Sequence, residues 1–146
     1  MQKIFTLSSV SLCALNRATA SDYYYNDYVA YQYDDLYQYE NEYEFGYAYG
    51  ITDDYIPDDA RDQIAKLAET WLYSPVPYSE QAYWYDGYRT DCSGYVSMAW
   101  QLGTSETTWT LPQYSHQISQ WELQRGDILL NIDEHVLIFD SWTDSS

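Results

Sequence analysis

The chain has 146 residues, room for one domain, with 6 Lys+Arg against 23 Asp+Glu and a formal charge of −17. A surface so short of cations excludes a protein that tracks nucleic-acid phosphates, and it opposes docking on anionic lipid. Two Cys exclude a disulfide framework, and Tyr dominates the aromatic residues with 19 copies.

The first element is a leader. Lys3 supplies a positive start, residues 4–15 are mostly apolar but interrupted by Thr6, Ser8, Ser9 and Ser11, and Ala18-Thr19-Ala20 is a small-x-small cleavage pattern. That order reads as a secretory signal over residues 1–20, too short and too polar for a spanning helix. The expectation is a secreted, extracellular protein without a membrane segment. Cleavage after Ala20 removes Lys3, Arg17 and Cys13, so the mature charge becomes −19 and Cys92 is its only thiol.

Residues 21–56 form an acidic arm with twelve Tyr, nine acids and no Lys or Arg. Its aliphatic residues are few: Val29, Leu36, Ile51 and Ile56. Tyr31/Tyr33 and Tyr47/Tyr49 alternate while Tyr39, Tyr43 and Tyr47 step by four, so neither helix nor strand is assigned. Self-repulsion and thin apolar content predict a weakly ordered, low-complexity segment. A solvated linker is the plain reading. Stacking of Tyr on sugars or peptides, or oxidative Tyr cross-linking, are the sharper ones.

Residues 57–146 read as the globular domain and carry all six Trp. Pro57, Asp58 and Asp59 start a helix over residues 58–72, with Ile64, Leu67, Ala68, Trp71 and Leu72 on its buried face. Pro75 and Pro77 end it, and a loop runs to about Thr90. Residues 93–102 predict a second helix, apolar nearly all round and stopped by Gly103. Residues 107–111 are expected to be extended before Pro112. Residues 127–132 and 135–142 predict two strands of an antiparallel hairpin. Two strands alone leave an edge of the hairpin unpaired and the core partly uncovered; either the Tyr-rich arm covers that edge or the domain is incomplete.

Cys92 stands immediately before the second helix. Free N–H groups and the macrodipole there favour thiolate over thiol, the usual route to a nucleophilic Cys. Such a thiolate needs a base, and there are only two His. His135 opens a predicted strand in an apolar run, whereas His116 lies in a polar stretch and reads as a surface residue. The plain alternative is that Cys92 is a small core residue. No metal-ligand spacing, calcium loop or glycine-rich phosphate loop is present, so no metal and no cofactor are implied.

The local words narrow the choice. Asp91-Cys92-Ser93-Gly94-Tyr95-Val96 resembles the Asp-Cys-Ser-Gly-aromatic-Val signature of the NlpC/P60 cysteine peptidases, papain-like hydrolases mostly of bacterial cell walls. Leu123-Gln124-Arg125-Gly126-Asp127-Ile128 is similar to the family's Leu-x-Pro-Gly-Asp-Leu segment, and Glu134-His135-Val136-Leu137-Ile138-Phe139 to its Gly-His-Val-Gly-Ile-Tyr strand. Pro77-Tyr78 resembles the Pro-Tyr found upstream of the Cys. Together these words span roughly residues 57–146.

The resemblance implies an α+β papain-like core, with the Cys-bearing helix packed on a small antiparallel sheet. It implies Cys92 as nucleophile, His135 as base, and Tyr78 in support of the oxyanion site. Asp91 and Ser93 would bind the substrate's free amino end. Read from the residues alone, Asp91 is an N-cap and Tyr78 a packed loop residue. The Cys92 N–H is a further candidate oxyanion donor. The implied reaction is amide hydrolysis through a thioester, and the implied substrate is the peptidoglycan stem peptide or muropeptide, cut at bonds involving D-amino acids. The alternative is a non-catalytic secreted wall- or glycan-binding or structural protein that keeps the fold.

Three positions depart from the family pattern. Arg125 replaces Pro, and Glu134 replaces Gly, where its charge would raise the His135 pKa or its bulk crowd the cleft. The family also carries His, Asn or Gln on the strand after the His strand. Only eleven residues follow His135, so that strand is expected to be missing. Asp140 lies on the opposite face of the His135 strand, about 17 Å along it at ~3.4 Å per residue. Asp144 reaches the ring only if the tail folds back.

Overall fold

The computed structural model describes residues 2–5, 28–35 and 60–142. The rest of the leader and arm, the Pro57–Asp59 helix start and Asp144 lie outside the described residues. Helix α1 (Ala60–Leu72) forms where Ile64, Leu67, Ala68 and Trp71 recur at three- and four-residue spacing, and all four are buried. Leu72 is only partly buried against the same core.

Helix α2 (Cys92–Ala99) is buried along its whole length, as its all-round apolar sequence requires. It ends a turn earlier than Gly103. The Leu102 N–H donates to the Ser97 carbonyl (2.9 Å) and the Gln101 N–H to the Met98 carbonyl (3.1 Å). This is a Schellman closure with Gln101 at φ 52 in the left-handed position usually given to Gly. Residues 107–111 are not extended either. The Thr110 hydroxyl accepts the Thr107 N–H (2.8 Å) and curls the chain into a turn, and Pro112 is the second residue of a 3₁₀ turn over Leu111–Tyr114.

Five strands form one antiparallel sheet: β1 (Gln2–Phe5), β2 (Val29–Tyr33), β3 (Ser115–Ile118), β4 (Ile128–Asn131) and β5 (His135–Trp142), in the order β1-β5-β4-β2-β3. β4 and β5 make the expected hairpin, with Asn131 opposite His135 and Leu130 opposite Val136. In the full chain both of its edges are paired, but the strand on β5 lies within residues 1–20, the segment read as a cleavable leader. β2 pairs with β4 and β1 with β5. Part of the segment assigned to the arm is therefore an interior strand. Tyr33, on β2, is 6% exposed and belongs to the core.

Alternation along β4 and β5 sorts side chains to two faces. Ile128, Leu130, Val136 and Ile138 belong to the core that also holds the buried faces of both helices, while Leu129, Leu137 and Phe139 join Ala30 and Leu123 on the other face. Burial on both faces explains why Ile128-Leu129-Leu130 is an unbroken apolar run. The architecture is α+β.

The Gly126-Asp127 word ties these layers together. Gly126, at φ +90, lies so close to Ile64 that a Cβ would meet it at 3.3 Å. Its carbonyl accepts the Trp100 indole N–H (2.9 Å). The buried Asp127 carboxylate accepts from the Arg61 guanidinium and from the Gln124 N–H, each at 2.7 Å. Arg125, standing where the family has Pro, links Asp62 of α1 (2.8 Å) to Asp140 of β5 (2.9 Å).

Candidate active site

Asp91 shapes the site because it caps α2. Its Oδ1 accepts the Gly94 N–H (2.8 Å) and the Ser93 hydroxyl (3.3 Å), and its Oδ2 accepts the Arg89 Nε–H (2.5 Å). This places Cys92 at the first position of the helix. Gly94 is required by close approach: a Cβ there would lie 1.7 Å from the Arg89 carbonyl oxygen. The Ser-Gly of the motif thus lets the loop carrying Arg89 press against the helix start.

Cys92 is 6% exposed. Its sulfur faces the backbone N–H groups of Ser93 and Val136 and the Tyr78 phenol. Val136 follows His135 on β5, so helix start and strand start converge on one thiol. Tyr78 is held by its neighbours. The Ser79 N–H donates to the Thr90 carbonyl (3.1 Å), the Thr90 N–H donates to the Ala82 carbonyl (3.0 Å), and the Ser79 hydroxyl accepts the Ala82 N–H (3.0 Å). The upstream loop is therefore pinned one residue before Asp91.

Electrostatics correct one expectation. Burial pushes the Cys92 thiol above its ordinary pKa, and the Asp91 charge adds to this, while the N–H groups of Val136 and Ser93 and the Tyr78 hydroxyl act against it. Desolvation thus works against the ionisation that the helix start favours. Burial and then the negative charges of Cys92 and Asp91 drive the Tyr78 phenol well above its ordinary range. Burial lowers the His135 pKa and Asp91 opposes this. The carboxylate acting on His135 is thus Asp91 rather than Glu134. Glu134 is exposed, with an Asn131 side-chain contact at 3.5 Å.

Tyr78, Cys92 and His135 therefore share the field of one carboxylate, Asp91, which also accepts the Ser93 hydroxyl, so that all five residues singled out by the motifs are linked through Asp91. His116 stands apart, exposed on β3, where it pairs with Asp34 (2.7 Å). Asp140 is turned to Arg125 and does not serve the imidazole. A cleft of about 430 Å³ opens where β2 meets the β4–β5 turn, lined by Val29, Tyr31, Leu130 and residues 131–134, and so reaches the residue before His135.

Sequence reasoning passed over Arg89. Its guanidinium donates to Asp91, to the Ser93 hydroxyl (3.0 Å) and to the Glu106 carbonyl (2.9 Å). It thereby occupies both residues that the resemblance assigns to a substrate amine. The available signal was a cation two residues before the acid in a chain with 6 Lys+Arg. Comparison of the chain with family models, with curated proteins and with solved structures finds no match.

Proposed function

We propose that the protein is a secreted cysteine-type hydrolase with a papain-like, NlpC/P60-type core, acting on amide bonds of peptidoglycan stem peptides. The observation that carries this reading is the convergence on one thiol. Cys92 opens α2 with its sulfur against the Tyr78 phenol and the N–H of Val136, next to His135 on β5.

In this reading His135, whose pKa burial lowers, takes the thiol proton as substrate displaces water. The sulfur attacks the amide carbonyl carbon, and N–H and phenol donors around it stabilise the oxyanion. Collapse breaks the C–N bond, and the amine leaves with the proton from His135. Water, deprotonated by His135, then cleaves the thioester and releases a carboxylate and the thiol.

Two observations favour the alternative of a non-catalytic wall- or glycan-binding or structural protein. Burial disfavours the Cys92 thiolate, and Arg89 already fills the Asp91–Ser93 pair. The deciding experiment incubates the protein with purified muropeptides and follows new free amino groups by mass spectrometry, with Cys92→Ser and His135→Ala as controls. Release by wild type and by neither variant supports hydrolysis. Release that persists in Cys92→Ser overturns the nucleophile, and no release by wild type across a broad pH range favours the binding protein.

A further inference from the structure

We propose that Arg89 is a positioning residue of the Cys92 site: its guanidinium clamps and neutralises the Asp91 carboxylate, so that the thiol ionises beside a closed ion pair rather than a bare anion. The geometry is specific. Arg89 Nε lies 2.5 Å from Asp91 Oδ2, with both side chains nearly enclosed, 14% and 9% exposed. The same guanidinium holds Ser93 and the Glu106 carbonyl, and the Arg89 N–H donates to the Ser105 hydroxyl (2.9 Å). The Arg89 carbonyl is the atom against which Gly94 packs. Main chain and side chain alike are thus fixed on the start of α2.

The charge argument follows from what surrounds the sulfur. Tyr78 faces it from the loop, with Glu80 close to Tyr78; Asp91 faces it from the helix cap, and the Val136 N–H from β5, where His135 also feels Asp91. Asp91 is the negative charge common to Tyr78, Cys92 and His135, and it disfavours ionisation of both acids. Arg61 and Arg125 are engaged elsewhere, with Asp127, Asp62 and Asp140. Of the described arginines, Arg89 is the one placed to offset Asp91. Burial pulls its own pKa down, and its hydrogen bond and charge pairing with Asp91 more than compensate.

This inference takes Cys92 as the reactive thiol of the proposed hydrolase, but its test reads the thiol directly, so a protein that hydrolyses nothing still decides it. The rate of Cys92 alkylation by iodoacetamide is measured against pH in the full chain, read on the Cys92 peptide by mass spectrometry so that Cys13 does not contribute. Arg89→Gln is expected to move the midpoint up by about one unit, Asp91→Asn to move it down by a similar amount, and the double variant to restore it. Arg89→Lys, which keeps the charge, should stay near wild type. Asn still caps a helix, so Asp91→Asn keeps the fold. If Arg89→Gln does not fold, Asp91→Asn and the double variant decide. An Asp91→Asn midpoint at or above wild type overturns the proposal. An unmoved midpoint in a folded Arg89→Gln, or an Arg89→Gln shift that persists in the double variant, also overturns it.

Discussion

Tyr33 of β2 stacks on Trp100 at the end of α2, with ring centroids 4.9 Å apart and planes within 19°. The Trp100 indole N–H in turn donates to the Gly126 carbonyl. One aromatic contact therefore joins the acidic N-terminal segment, the Cys-bearing helix and the turn that leads into β4. Truncating it removes a large buried ring and an offset stack. Tyr33→Ala is expected to lose about 3 kcal/mol in urea unfolding, whereas Tyr85→Ala, at a residue 96% exposed, should stay within about 0.5 kcal/mol.

Two glycines separate steric need from local preference. At Gly94 an added Cβ would penetrate the Arg89 carbonyl, while at Gly103 it would meet nothing within 4 Å. Gly94→Ala should lose about 3 kcal/mol or more and disturb Cys92 alkylation through the displaced helix start. Gly103→Ala should change stability by no more than about 0.5 kcal/mol. Paired thermal and urea unfolding curves check both.

Tyr78 touches the reacting sulfur in the proposed chemistry. Tyr78→Phe keeps the ring and removes the hydroxyl that helps to hold the thiolate. The expected result is a fall in kcat on muropeptides of about 10²-fold with little change in KM. An upward shift of the Cys92 alkylation midpoint should accompany it. Steady-state kinetics and the alkylation profile test the two halves separately.

His135 predicts the acid limb of stability. Burial sets its folded pKa below the ordinary value of 6.5, so the unfolded chain binds the proton more readily than the folded one. Its stabilising contribution is complete above that value and is lost as pH falls through it towards the folded pKa. His135→Gln should flatten this part of the urea-midpoint profile.

How much was legible follows from the range of the interactions. The buried face of α1 and the β4–β5 hairpin were written in local periodicity, and α2 in an apolar run behind a good cap at Asp91. The true end of α2 was not legible, because Gln101 adopts a conformation that its type disfavours and Gly103 offered a false stop. β2 was hidden by composition. Acids and Tyr around it imply a solvated arm, and only pairing with β3 and β4 makes Val29–Tyr33 a strand. At the site, the word Asp-Cys-Ser-Gly pointed to Cys92 and its cap but was silent on Arg89's partners.

By itself, then, the sequence determined which residues carry nucleophilic and ionisable groups and which faces must be buried, since charge, side-chain type and period are properties of the covalent chain. Tertiary structure decided what those residues experience. It brought β5 to the first turn of α2, buried the thiol so that it is harder to ionise, and set Arg89 on Asp91. Desolvation and ion pairing depend on what surrounds a group in space, and residues from Tyr78 to Val136 share one environment only once the sheet has formed.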